Sequence, residues 1–311
     1  MTNSALITMK TILNSFLSCV KIGARTIYVC PQNFQVFLLI LVQVTFLAVP
    51  DPVAADPRRV VSINLCTDQL ALMLTPREHL ISVSRLSHDP ENSVLYDAAR
   101  SVPANGSTAE EVYLLSPDLV LAGTYTSTAT VNMLRNLGIQ VELFAPTRSL
   151  SDVGDRITQM GNVLGQRQTA AHMVAEFETK LATLSDAPKS ERFRAALTYV
   201  NNFSSGDATL AGDILSAAGF DNAASEIGLS SVGVLSLEEL IFLAPDVIIP
   251  GRNYPGVARA ESNLSHPALH ALAASRLANG LTTRDWICGT PHVINALEDV
   301  RRLRLEMERT E

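Results

Sequence analysis

Two cysteines, separated by most of the chain, are the residues best placed to do chemistry. Asn64 is positioned to cap a helix that opens at residue 65, which sets Cys66 in its first turn. Thr290-Pro291 reads as an N-cap followed by the first helical residue, which sets Cys288 just ahead of the last helix. The partial positive charge at a helix N-terminus favours a thiolate. Such a pair could form a disulfide, give soft ligands to a metal, or fill semi-buried space as small apolar side chains. A disulfide needs Cα atoms within about 7 Å, and a cleft sized for a chelate is wider. Both are therefore expected to be reduced, with at least one lining a ligand pocket. A thiol enzyme would use Cys288 with His292 as base. The four-residue spacing includes Pro291, and no third group orients the imidazole. The six histidines are scattered, which argues against a binder of free zinc or manganese.

The next chemical group is a set of loop residues. Strand-like runs at Arg59–Leu65, Leu80–Val83, Leu119–Ala122 and Val141–Phe144 alternate with helical segments, which predicts a parallel sheet covered on both faces. A second series follows at Arg194–Val200, Ile214–Ala218, Leu237–Leu243 and Val247–Pro250. Ligands of such sheets bind outside the carboxyl ends of the strands. That rule selects Asn64, Cys66, Arg85, His88, Tyr125, Phe203, Arg252, Tyr254, Trp286 and Cys288 as ligand contacts. Arg85 and Arg252 would face an anionic ligand; the tyrosines and histidines would suit a haem. No catalytic residue and no resident metal or cofactor is expected.

The elements that carry these loops fall into segments. Lys10, Lys21 and Arg25 precede the apolar run Phe34–Val49 and the small residues Val53-Ala54-Ala55. This pattern predicts a secretory signal over residues 1–55, cut after Ala55, and a periplasmic protein. The run is shorter than the roughly 20 residues of a membrane span. Residues 56–165 then read as an α/β lobe, 166–187 as a connecting helix, and 188–311 as a second α/β lobe. Val174, Phe177, Leu181 and Leu184 give the connector its apolar face. The net charge is −7 and no basic block stands out, so nucleic acid is excluded as a partner.

One unit occurs twice. Ala109–Gly123 reads AEEVYLLSPDLVLAG, and Leu237–Gly251 reads LEELIFLAPDVIIPG. Each is a helix with two leading acids, a Pro-Asp turn, a buried strand and a glycine. Together with the opening strand, Ala218-Gly219-Phe220-Asp221-Asn222, Asp285-Trp286 and Pro291, these residues resemble the periplasmic binding proteins for cobalamin and ferric siderophores. The resemblance implies two α/β lobes with parallel-type sheets, joined by a single long helix, with the ligand in the cleft between them. It implies an ABC importer, permease and ATPase, as partner, a small-molecule metal complex as ligand, and a monomer that is not an enzyme. It also implies that Glu110 and Glu238, one per lobe, dock to permease arginines, a contact suited to charge-assisted pairing. Trp286 is the only tryptophan, where the cobalamin-binding member lines its cleft with several. The expected ligand is therefore a ferric siderophore, with cobalamin or haem as alternatives. A sensor or scaffold of the same fold remains a further alternative.

Overall fold

Val60-Val61-Ser62 forms the central strand of the first sheet because branched aliphatic side chains pack well on both faces of a pleat. This strand, β1 (Val60–Ser62), pairs with β2 (Leu80–Ser84) and β4 (Leu119–Gly123); β3 (Ala104–Asn105) and β5 (Gln140–Phe144) complete the order β3-β2-β1-β4-β5. All of these pairings are parallel. Crossovers run through α1 (Leu65–Leu74), a short α2 (Tyr96–Ala99), α3 (Ala109–Leu114) and α4 (Thr128–Asn136). The computed structural model describes residues 57–185, 192–252, 266–267 and 277–310, all within the compact unit Asp56–Glu311. The expected signal segment, residues 1–55, and Tyr254 lie outside the described residues.

Two helices lead out of this lobe. α5 (Ser151–Val163) and the 18-residue α6 (Arg167–Leu184) are separated at Gly165, whose φ of +71° is a left-handed conformation that glycine takes without strain. In the second lobe β6 (Phe193–Thr198) lies between β10 (Val247–Pro250) and β8 (Phe220–Asn222), again in parallel. Beyond the end of β6, β7 (Phe203–Ser205) and β9 (Val232–Val234) form a two-stranded antiparallel ribbon. Helices α7 (Leu210–Ala217) and α8 (Leu237–Leu243) precede β8 and β10. The last helix, α9 (Val293–Thr310), begins two residues later than Pro291: Val293 N–H and Ile294 N–H donate to Thr290 O and Pro291 O, a tight turn ahead of the helix.

Side-chain alternation explains how the lobes join. On β1 and β4, Val60, Leu119 and Leu121 face one cluster, while Val61, Val120 and Ala122 face another. On β6 and β10, Ala195, Leu197, Val247 and Ile249 face that first cluster, while Ala196 and Ile248 turn away. Ile157, Phe177, Val293 and Val300 complete it. One apolar core thus runs from lobe to lobe through the connecting helices. Each such aliphatic side chain contributes roughly 1.5–3 kcal/mol when fully buried. Among the described residues no helix is long and apolar enough to cross a membrane.

Candidate ligand cleft

The carboxyl end of β1 delivers Asn64, whose side-chain oxygen accepts from Cys66 N–H at 3.0 Å and Thr67 N–H at 3.4 Å. It caps α1 as its position suggests. Its amide nitrogen lies over Gly123, where a Cβ would come within 3.0 Å of it. Cys66 is then held in the first turn, and here the expectation of reduced thiols is overturned. Cys66 and Cys288 are disulfide-bonded, with Cα atoms 5.2 Å apart. The reason is local closeness of the lobes. Gly289 packs against Thr147 so tightly that any side chain there would collide, and this lets the segment before α9 approach the first lobe closely. Neither sulfur in such a bond is a nucleophile or a thiolate ligand, so the Cys288–His292 enzyme reading fails. Burial lowers the His292 pKa below its ordinary value, against the opposing pull of Asp285.

The two arginines expected to meet an anionic ligand already hold carboxylates. Arg85 Nη2 donates to Glu111 Oε1 at 3.1 Å, and Glu111 also accepts from Gly106 N–H. Arg252 crosses from the second lobe, donating to the Glu91 carbonyl with the Glu91 carboxylate 3.6 Å away. Arg284 does the same to the Pro90 carbonyl at 2.8 Å. The Asp89–Asn92 loop is therefore grasped by two arginines of the opposite lobe. His88 Nε2 pairs with Val102 O at 3.0 Å and secures the base of that loop.

Beneath the rim lies a group that sequence reasoning missed. Asp68 is fully buried, and its Oδ2 accepts from Ser84 N–H, Ser84 Oγ–H and Ser87 Oγ–H. It thereby fixes the turn Arg85–His88 to α1. Burial raises its pKa, and these hydrogen bonds pull the other way. In the sequence, an acid in a first helical turn reads only as a helix-favouring residue.

The strand ends expose apolar side chains beside polar ones such as Arg85 and Thr124. Leu86 follows β2, Tyr125 follows β4 and is 82% exposed, Phe203 opens β7, and Ile287 precedes α9; all four are exposed. In the second lobe a cavity of about 320 Å³ is lined by Tyr199, Ser205, Arg252, Thr282, Trp286 and Ile287, among others. Trp286 Nε1–H donates to Leu281 O at 2.8 Å, which fixes the indole, and its ring packs on the core. Tyr199 and Ile287 were not among the expected contacts; the position of Tyr199 at the end of a buried strand was the available signal.

The two repeated helices are built alike. Thr108 caps α3 and Ser236 caps α8, each accepting from the third helical residue. The second acid of each helix is used internally: Glu111 on Arg85 and Gly106, Glu239 in a capping box with Ser236. The first acids, Glu110 and Glu238, are exposed, and no hydrogen bond or ion pair to either is found among the described residues.

This architecture can be set beside known proteins. The cobalamin-binding protein of Halobacterium salinarum is 30% identical over 202 residues, 63% of this chain and 54% of that protein. The chain spans about half the length of the curated relatives it matches. The periplasmic haem-binding protein HutB of Vibrio cholerae superposes with a TM-score of 0.66 at 20% identity, covering 79% of this chain and 98% of that one. An ABC-type Fe3+-hydroxamate transport protein of Saccharomonospora viridis superposes at 0.60 and 21% identity, covering 79% and 93%. Identity this low shows the fold alone. The sequence profile described as "Periplasmic binding protein" matches residues 60–276, from β1 to just short of Leu277, which bridges to β10. With that match spanning both lobes and the connector, the chain belongs to the periplasmic binding protein family.

Proposed function

We propose that this protein captures a corrinoid in the cleft between its lobes and hands it to an inner-membrane ABC importer, acting as a binding protein and not as an enzyme. The observation that carries the ligand class is the rim. Leu86, Tyr125, Phe203 and Ile287 are exposed around the strand ends and ahead of α9, while Arg85 and Arg252 are each paired with a carboxylate, Glu111 and Glu91. A rim of this kind favours a large ligand with apolar faces over an anionic ferric siderophore, which reverses the order expected from the sequence. The name of the Halobacterium salinarum relative supports the same reading. The cavity beside Trp286 is at the small end of ligand sites, which span about 300–1,000 Å³, so it would receive one part of the ligand while the rim covers the rest.

The test is titration with cyanocobalamin, haemin and a ferric hydroxamate, read by calorimetry and by the fluorescence of Trp286, the only tryptophan. Saturable binding of cyanocobalamin is expected, weakened about tenfold by Tyr125→Ser, a loss equal to about 1.4 kcal/mol. Binding of the hydroxamate alone would restore the siderophore reading. Silence towards all three would remove the metal-chelate class.

A further inference from the structure

The Cys66–Cys288 bond spans the boundary that has to part when a ligand enters or leaves. Cys66 stands just beyond the carboxyl end of β1 in the first lobe. Cys288 follows Trp286 and Ile287, which line the cavity of the second lobe. Cys66 Sγ lies 3.9 Å from Ile287 O, so the bond abuts that cavity wall. Folding has another means of joining the lobes, because the apolar core through Ile157, Phe177, Val293 and Val300 already runs between them. The two sulfurs are also unequally placed. Cys288 is 2% exposed, whereas Cys66 is partly exposed and is the residue that a thiolate from solvent can approach. Cys66 is the second residue of α1, whose N-terminus stabilises a thiolate and with it the reduced form. A disulfide whose reduced form is stabilised is easier to reduce, and exposed disulfides are the labile ones.

We infer that this bond is a redox control on the cleft. Oxidised, it limits how far Asn64 and Cys66 can move from Trp286 and Ile287, and ligand exchange is slow. Reduced by a dithiol, it lets the lobes part and the ligand leave. The inference rests on the reading of the cleft as the ligand site. The step is thiol–disulfide exchange. A thiolate of the dithiol attacks Cys66 Sγ, the Cys66–Cys288 bond breaks, and its electron pair goes to Cys288 Sγ, which takes up a proton. The second thiolate of the reductant then attacks the mixed disulfide and frees Cys66, which is protonated in turn. Two electrons and two protons pass to the protein, and the dithiol becomes a disulfide. A device that sets how readily the lobes part acts mainly on the dissociation rate, where affinity differences between related complexes usually lie.

The experiment first exposes the folded full chain to dithiothreitol without denaturant, alkylates it, and maps the labelled peptides by mass spectrometry. Cys66 and Cys288 are expected to be labelled while the near-ultraviolet circular dichroism stays native. A bond that yields only as the chain unfolds is a folding staple and overturns the inference. Small-angle scattering of ligand-free protein is then compared for the oxidised, reduced and C66S/C288S forms. The reduced and C66S/C288S forms are expected to share a radius of gyration larger than that of the oxidised form; equal radii for all three would overturn the inference. Last, release of bound cyanocobalamin is followed from oxidised wild type and from C66S/C288S, under conditions where urea unfolding shows both to be folded. Release is expected to be about tenfold faster from the variant. Reduced wild type gives the same comparison without a substitution. Equal release rates would overturn the inference and leave the corrinoid reading standing. Absence of cyanocobalamin binding in every form would overturn the corrinoid reading, and the reduction and scattering measurements, which use no ligand, would still decide whether the bond controls the cleft.

Discussion

Asp68 illustrates how the rim of the first lobe depends on buried polarity. Its carboxylate organises Ser84 and Ser87, and burial holds its pKa above the ordinary 3.8. The folded state therefore keeps this proton to higher pH than the unfolded chain does. The favourable contribution is complete below pH 3.8 and is lost as pH rises through the folded value. Asp68→Asn, which cannot ionise, is expected to flatten the fall in stability above pH 3.8, measured by denaturant unfolding across pH 4–8; equal slopes for both proteins would contradict the assignment. Residue types at the cleft were legible in the sequence, but their partners were not. Arg85 and Arg252 are visible as unpaired cations only until folding brings Glu111 and Glu91 to them. Glu91 and Arg252 belong to different lobes, so no spacing along the chain could announce that pair.

At the scale of elements, α1 depends on its cap. Asn64→Ala removes the acceptor for two otherwise orphaned N–H groups and is expected to cost about 1 kcal/mol in urea unfolding, whereas Asn64→Asp keeps the acceptor and most of the stability. An unchanged midpoint for Asn64→Ala would show that neither the cap nor the side-chain contact with Gly123 holds this helix. Long periodic elements were the readable ones. The connector's apolar face and the runs that became α8 and β10 lie where the pattern puts them. The β7–β9 ribbon was not readable, because FSS and VGV are three residues each, too short for alternation to register. Its strands are defined by their mutual pairing across 29 residues, a long-range fact.

For the whole molecule, the repeated AEEVYLL and LEELIFL units revealed two related lobes, and the fold follows that plan. The covalent tie between the lobes did not follow from the sequence, because pairing depends on how far the cleft opens at Cys66. That tie closes a loop of sequence separation 222. Replacing both cysteines by serine is expected to lower stability by about 2–5 kcal/mol. A dithiol reductant should lower the wild-type thermal midpoint to that of the variant and leave the variant's own midpoint unmoved. Identical midpoints for wild type and variant under oxidising conditions would mean that the bond adds nothing to the fold.

The tie also has a mechanical meaning. The connecting helices join the two lobes at one place, and the Cys66–Cys288 bond joins them at another. Two bodies pinned at two separate points cannot slide apart or twist freely; they retain one swing, about the line through the pins. The loop Asp89–Asn92, gripped by Arg252 and Arg284, is a third junction, held by hydrogen bonds and one ion pair, without a covalent link. It acts as the latch of a door whose hinge line is fixed by the connector and the disulfide. Opening the cleft at this edge breaks the two carbonyl contacts and the Arg252–Glu91 ion pair, while the disulfide keeps the lobes joined.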